Sequence, residues 1–199
     1  MWSTFMQGLK LITVTTGDVL YASGAQHHFV YMVDAGLFKA EILDNDRPTT
    51  AFFAEEGDIM APLAAFGIPE ALAPSAGELF PRSSSLRDVI KLDNWYTVSA
   101  LERSRVMRAD ANVLLALAQE HSAWATLAFR IAIMRAMVLQ ADNHWLRQSP
   151  EQRYMALVER NPSLVARVSQ RELAMYLNVT PTSLSRIVRR VRTGPAEPA

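Results

Sequence analysis

The stretch that decides the fold of this chain is SQRELAMYLNVTPTSLSRIVRR, which runs from Ser169 to Arg190. Ser169, followed three residues later by Glu172, forms a capping box, in which the serine oxygen accepts a free backbone N–H at a helix start. Thr180 followed by Pro181 predicts a second helix start, because proline suits the first helical position. Two short helices joined by a tight turn are therefore expected here.

The residues between these caps fit a helix-turn-helix frame that begins at Gln170. Ala174 falls where the two helices cross and only a small side chain fits. Asn178 falls in the turn, where a positive φ angle is needed, and asparagine tolerates that angle better than most residues. The positions of the small core are occupied by Leu173, Leu177, Val179, Leu184 and Ile187. An ordinary helical hairpin is the alternative, but it does not require this combination.

The second helix of such a motif enters the major groove of DNA by its N-terminal part. Arg186 is the candidate for base recognition, because its guanidinium can donate two hydrogen bonds to guanine. Thr182 lies on the same exposed face of the predicted helix. The other candidates for DNA contact, most of them suited to phosphate oxygens, are Arg171, Thr180, Pro181, Ser183, Ser185, Arg189 and Arg190. The pattern predicts a DNA-binding head.

The distribution of charge favours the same interpretation, although the formal net charge of the chain is zero. Residues 147–192 carry nine arginines and three glutamates, whereas residues 1–146 carry eleven basic and sixteen acidic side chains. A basic module on an acidic body is expected of a phosphate-binding head. A solvated arginine face is the alternative that charge alone leaves open.

Residues 9–60 have the pattern of short antiparallel strands. Glycine and aspartate turns recur along this segment and separate runs rich in β-branched and aromatic residues, which predicts a sandwich or barrel. The predicted strands are 11–14, 29–33, 37–43 and 50–53, and strand character returns at 95–98 and 105–108. Residues 61–90, with four prolines, are expected to form a long connection.

From Asp110 the apolar residues change to helical spacing, and neither glycine nor proline occurs before Pro150. Asp110 is a plausible N-cap, so one long helix is predicted over residues 110–146. A helix that is apolar on so much of its circumference needs cover on two sides, and an identical helix from a second subunit is one source of cover. The predicted dimer seam consists of Leu117, His121, Trp124, Ala128 and Ile131. Burial inside one larger domain stays the alternative.

The whole arrangement resembles the Crp/Fnr superfamily of transcription regulators. The glycine pattern Gly17-Asp18, Gly24, Gly36 and Gly57-Asp58 resembles its β-roll, and residues 179–186 resemble its recognition helix. The resemblance implies an α+β chain: an N-terminal antiparallel β-roll of the cyclic-nucleotide-binding type over 1–109, a dimerisation helix over 110–146 and a helix-turn-helix domain over 147–199. It also implies a homodimer that binds a roughly palindromic operator, and RNA polymerase as a further partner.

The chain departs from this family at the nucleotide pocket. Met60-Ala-Pro-Leu63 and Asn94-Trp95-Tyr96 stand where the family has a Gly-Glu pair and an Arg-Ser/Thr-Ala run that hold the cyclic phosphate. Binding of cyclic AMP in the usual way is therefore not expected, and the small-molecule effector is not identified. The candidate effector-binding residues are Arg82 and Ser83, as a displaced phosphate clamp, with Trp95 and Trp124 as apolar lining.

Two further departures concern the head. Thr182 replaces a glutamate common in the family's recognition helix, so an altered base preference is expected. No β-hairpin wing is expected after Arg192, because the sequence ends soon after the recognition helix; either a shorter subfamily or an absence of wing contacts is implied.

Composition limits the remaining possibilities. The chain has no cysteine, so disulfides and thiolate metal sites are excluded, and a cytoplasmic location is expected. Neither a membrane span nor a metal site is predicted, since His27-His28 lacks further donors at suitable spacing. No catalytic motif is present, and we expect no enzyme. The rival hypothesis is a cyclic-nucleotide-type ligand-binding or scaffold module whose C-terminal helices make protein contacts.

Overall fold

The computed structural model describes residues 8–25, 27–44, 47–61 and 96–193, with strands first and helices after them. The strands are β1 Lys10–Val14, β2 Val19–Tyr21, β3 Phe29–Ala35, β4 Phe38–Asp44, β5 Arg47–Ala54, β6 Ile59–Met60, β7 Thr97–Ala100 and β8 Ser104–Asp110. The helices are α1 Ala111–Glu120, α2 Ser122–Leu146, α3 Pro150–Arg160, α4 Pro162–Arg167, α5 Gln170–Tyr176 and α6 Pro181–Thr193. Five of the predicted strands are confirmed, and the sixth, predicted at 95–98, begins only at Thr97. The strands β2 and β6 were not predicted.

The strands form two four-stranded sheets, with the orders β1-β8-β3-β6 and β2-β7-β4-β5. The observed pairs are antiparallel, so the predicted antiparallel β-roll and the α+β class are confirmed. The core includes Val33, Phe38, Val98 and Val106, each at most 2% exposed. Burial alternates along parts of β3 and β8, whereas the last three residues of β7 are all buried. The alternation in β3 and β8 arises because successive side chains of a strand face opposite sides.

Gly36 makes the tightest approach in the β-roll, at the turn from β3 into β4. Its φ angle is +112°, and a Cβ atom on it would lie 2.8 Å from the Cα of Ser104 and closer still to the serine side chain. Ser104 is 1% exposed, and its hydroxyl accepts a hydrogen bond from the Leu37 N–H at 3.3 Å while donating to the Glu102 carbonyl at 2.8 Å. Only glycine satisfies both the backbone angle and the space.

Clustering of contacts divides the chain into two compact units. The first comprises the residues up to Ile42 and Phe53–Ala125, and the second comprises Leu43–Phe52 and the residues from Thr126 onward. The division falls within α2, whereas the sequence boundaries were placed at 109/110 and 146/147. The three-part division into sensor, dimerisation helix and head stays a prediction. Within the described residues, no helix combines the length and apolar character needed to cross a membrane.

The long helix predicted from Asp110 is interrupted, and this corrects the sequence interpretation. Asp110 is the N-cap, and its carboxylate accepts the Asn112 N–H at 2.8 Å. The helix stops at His121, whose backbone is extended with φ −134° and ψ 111°. The His121 N–H donates to Leu117 O, and its carbonyl accepts from Trp124 N at 2.9 Å, so this residue ends α1 and begins α2. Histidine and the following serine are both weak helix formers, which permits the break without glycine or proline.

His27 joins an aromatic cluster in the first unit. Its Nε2 atom lies 2.9 Å from the Tyr31 hydroxyl, and its ring centroid lies 5.3 Å from that of Tyr21 and 5.6 Å from that of Phe29. The Arg108 guanidinium lies over the Phe29 ring, with its Cζ atom 4.2 Å from the ring centroid. Burial, and then the charges of His28 and Arg108, lower the pKa of His27 from its ordinary value of 6.5. A neutral His27 can accept the Tyr31 proton.

This cluster predicts a loss of stability in acid. Because the pKa of His27 is lower in the folded than in the unfolded chain, the unfolded chain binds more protons below pH 6.5. The stabilisation is therefore complete above pH 6.5 and declines as the pH falls through the folded value. Between pH 7.5 and acidic pH, the urea midpoint of His27→Gln is expected to fall less than the midpoint of the wild-type protein. The exposed neighbour His28 supplies the comparison: its charge is a lesser cause of the lowered pKa than burial, so His28→Gln should reduce this fall less, and an equal reduction in both variants would contradict the assignment to His27.

Candidate nucleic-acid interface

The turn between α5 and α6 has the geometry that the sequence predicts. The Ser169 hydroxyl accepts the Glu172 N–H at 3.2 Å and caps the start of α5. At the other end Asn178 has a φ angle of +49°, and it is the one non-glycine residue with positive φ in the described part of the chain. The Val179 N–H donates to Ala174 O at 2.9 Å and the Asn178 N–H to Met175 O at 3.1 Å. These two bonds form a Schellman motif, which ends the helix and turns the chain.

The apolar positions of the motif are buried as predicted. Ala174, Leu177 and Leu184 are 0% exposed, so the two helices cross in close contact at the alanine. Leu173 and Ile187 are also buried, and Val179 is half-buried. A larger side chain at residue 174 would push α5 away from α6, because no space remains at the crossing. The core of the motif therefore holds the position of α6.

Thr180 and Ser183 organise the first turn of α6. The Thr180 hydroxyl oxygen accepts the Ser183 N–H at 3.1 Å, and the Thr180 carbonyl accepts the Leu184 N–H at 2.9 Å. Thr180 Oγ1 also donates to Ser183 Oγ at 2.9 Å. Since the proton of Thr180 is used inside the turn, the proton of Ser183 stays available to an outside acceptor. Pro181 occupies the first helical position, as predicted.

The residues predicted to contact DNA share one property: the structure places every one of them on the exposed surface, on α6 and at the starts of α5 and α6. They are Arg171, Thr180, Pro181, Thr182, Ser183, Ser185, Arg186, Arg189 and Arg190. Leu184, Ile187 and Val188, which alternate with them along α6, are buried. The helix thus presents a polar and basic face to solvent, and its contact with DNA stays a prediction.

The arginines of this face differ in electrostatic surroundings. Arg190 Nη1 lies 3.3 Å from Glu151 Oε2, and the side chains of this pair are 64% and 39% exposed. The glutamate offsets part of the charge of Arg190, although a pair this exposed contributes little stability. Among the described residues no ion pair is recorded for Arg186. Arg186 therefore presents its full charge and its hydrogen-bond donors to solvent.

Sequence reasoning missed two helices that support the motif. The helix α3 begins with a complete capping box, in which Ser149 and Gln152 exchange hydrogen bonds of 3.2 Å and 3.0 Å. The helix α4 begins at Pro162, and the Asn161 side chain accepts the Leu164 N–H at 2.9 Å. Both starts have a sequence signal, since a serine or asparagine precedes a proline at the first helical position.

Of the four predicted effector-binding residues, Trp124 alone belongs to the part of the chain that the structure describes. Arg82, Ser83 and Trp95 lie outside the described residues, and so does the segment after Thr193 in which a wing was not expected. Trp124 lies in α2 and is half-buried. Among the histidines and acidic residues that are described, no three converge to hold a metal ion.

The residues of the predicted dimer seam differ in exposure within the single chain, and His121, Trp124 and Ile131 are half-buried. Leu117 lies in α1 and is 4% exposed, and of the seam residues Ala128 alone is exposed. Leu127 and Met134 adjoin the seam residue Ile131 on the helix surface. The exposed apolar residues of α2 are Leu127, Phe129, Ile133, Met134 and Met137. Phe129, Ile133 and Met137 are spaced four apart and form one stripe. The stripe is therefore a candidate surface for a partner, on a helix whose residues 125–130, more than one full turn, are all exposed.

A two-sheet antiparallel β-roll followed along the chain by helices and a helix-turn-helix defines a class of proteins. Solved structures of that class match nearly the whole chain. FixK2 from Bradyrhizobium japonicum is 17% identical, with a TM-score of 0.67 over 93% of this chain and 85% of that one. A putative transcriptional regulator of the Crp/Fnr family from Eubacterium rectale is 14% identical, with a TM-score of 0.67 over 96% and 82%.

A third structure is the c-di-GMP responsive global regulator CLP from Xanthomonas campestris, 14% identical with a TM-score of 0.59 over 96% of this chain and 90% of that one. No protein-family profile and no curated protein sequence matches the chain. At these identities the comparisons establish the fold. The chain has the Crp/Fnr fold, as its glycine pattern and its helix-turn-helix predicted.

Proposed function

We propose that this protein is a homodimeric, sequence-specific DNA-binding regulator of transcription that acts in the cytoplasm. The observation that carries the proposal is the division of α6 into two faces. Every residue predicted to contact DNA is exposed, while Leu184 and Ile187 hold the helix in place from behind. The likeness to Crp/Fnr structures supports the proposal through the fold.

Recognition would begin with the N-terminal part of α6 in the major groove. Arg186 donates two hydrogen bonds to the O6 and N7 atoms of a guanine, and Thr182 beside it influences the neighbouring base step. Ser183 donates its free hydroxyl proton to a phosphate oxygen, while Thr180 is retained as the cap. Arg171 and Arg189 attract phosphates, and Arg190 contributes less because Glu151 offsets its charge.

Dimerisation follows from the apolar stripe of α2. Phe129 and Met137 are each 66% exposed and Ile133 is 47% exposed, which is unfavourable for a helix that stays alone in water. A second copy of the same stripe gives each residue an apolar partner and places two α6 helices on one DNA duplex. A two-fold dimer predicts a palindromic operator.

Regulation is assigned to the β-roll, which would bind a small-molecule effector and change the affinity of the dimer for DNA. Trp124 of α2 is the described member of the predicted effector site. RNA polymerase is the further partner proposed for such a regulator.

The test is selection of DNA from a randomised duplex library, followed by mobility-shift measurements on the enriched sequence. We expect a palindrome, and we expect Arg186→Ala to lose discrimination at one base pair of each half-site by about 10- to 100-fold. The control is Arg103→Ala, which removes the same charge from an exposed position between β7 and β8. Absence of an enriched palindrome, or equal effects of the two substitutions, would contradict the proposed function.

A further inference from the structure

A buried arginine lies in the second unit, apart from the face predicted to contact DNA. Arg153 of α3 is 7% exposed, and its Cζ atom lies 5.5 Å from the centroid of the Trp145 ring. Its Nε atom is buried without a hydrogen-bond partner among the described residues. Trp145, near the end of α2, also contacts Tyr176 of α5, with ring centroids 5.1 Å apart and an interplanar angle of 33°.

Such an arginine is a poor choice for stability alone. Burying a charge is unfavourable, and an apolar side chain of similar length often fills the same space equally well or better. What an arginine adds is its shape, because the planar guanidinium stacks on an aromatic ring and holds it in one orientation. The contact therefore restricts the Trp145 ring more narrowly than packing alone would.

The stack connects the last turns of α2 to both helices of the helix-turn-helix. Trp145 contacts α5 directly through Tyr176, and Arg153 belongs to α3, which packs on α6. The division of the chain into compact units agrees with this, since the part of α2 from Thr126 belongs to the same unit as α5 and α6. These three side chains therefore form a continuous series of contacts from α3 through the end of α2 to α5.

We propose that Arg153 is a positioning residue that, through Trp145 and Tyr176, fixes the direction of α6 relative to α2 and thereby sets the spacing of the two DNA half-sites. The inference rests on the proposed function, because α2 positions the two copies of α6 only in a DNA-binding dimer. Arg153 does not touch DNA. Its effect concerns the distance between half-sites and leaves the bases read within each half-site unchanged.

The experiment measures affinity for a series of palindromes whose half-sites are separated by different numbers of base pairs. Wild-type protein is expected to prefer one spacing sharply. For Arg153→Met we expect affinity at that spacing to fall about tenfold, while affinity at spacings one or two base pairs away changes little, so the preference flattens. The matched control is Arg147→Met, which makes the same replacement at an exposed arginine and should keep the sharp preference.

Folding is checked separately by urea unfolding, where Arg153→Met is expected to match the wild type because the new side chain is apolar and of similar length. If that variant does not fold, Arg153→Lys tests the same point, since lysine keeps the charge and loses the planar stack. Folded variants that retain the wild-type spacing preference would overturn the inference while leaving the proposed function intact. A wild-type protein that selects no spaced half-sites would overturn both.

Discussion

Replacement of Gly36 by alanine is expected to lower the free energy of unfolding of the β-roll by about 3 to 5 kcal/mol. Two effects add at this position. The φ angle of +112° is unfavourable for any residue with a Cβ atom, and the new atom would overlap Ser104, which is fixed by its hydrogen bonds to Leu37 and Glu102. The turn must open, and β3 and β4 must shift with it.

The control for Gly36→Ala is Gly57→Ala. Gly57 has a φ angle of +89°, but nothing lies within 4 Å of the position of its Cβ atom. This replacement therefore carries the backbone strain without the overlap, and a loss of about 1 to 2 kcal/mol is expected. Urea unfolding followed by circular dichroism measures both. Equal losses at the two positions would show that the approach to Ser104 contributes nothing.

Introduction of a carboxylate into the apolar stripe of α2 is expected to convert the proposed dimer to a monomer. Ile133 lies at the centre of the stripe between Phe129 and Met137, so Ile133→Glu would bring two buried carboxylates together across the two-fold axis. Sedimentation equilibrium measures the change. Affinity for the full palindrome should fall about 100-fold or more, because each half-site would then be bound independently.

The control for Ile133→Glu is Ala128→Glu. Ala128 is exposed on the same helix but lies roughly 140° around it from Ile133, at about 100° per residue. This variant is expected to stay dimeric. The two substitutions also distinguish two candidate dimer interfaces. Ala128 belongs to the seam predicted from sequence, and Ile133 belongs to the apolar stripe that the structure exposes. A monomer from Ala128→Glu, with a dimer from Ile133→Glu, would favour the sequence-derived seam.

The helix-turn-helix could be predicted almost residue by residue because its determinants are local. The Ser169 and Thr180 caps bind backbone groups three residues away, and the positive φ angle of Asn178 is tied to a Schellman motif within its own turn. Interactions over such short separations leave a readable pattern in the chain. The capping box at Ser149 has the same local character, since Ser149 and Gln152 are three residues apart.

The order of strands within the sheets could not be predicted, although the strands themselves could. Lys10 pairs with Arg108, and Val30 pairs with Ala109, across most of the length of the first unit. Which strands become neighbours depends on how two apolar faces close on each other, and many pairings satisfy the same alternation. The close approach of Gly36 to Ser104 is a consequence of that closure.

The sequence by itself determined that this chain ends in a helix-turn-helix with an exposed basic face, because caps, turn and amphipathic spacing all act within a few residues. Only the tertiary structure decided which apolar residues of α2 stay exposed, where the helix breaks at His121, and that Arg153 is buried against Trp145. These features depend on which surfaces meet in three dimensions. The spacing of apolar residues along a helix shows that one side must be buried. The rest of the fold decides which element or partner covers that side.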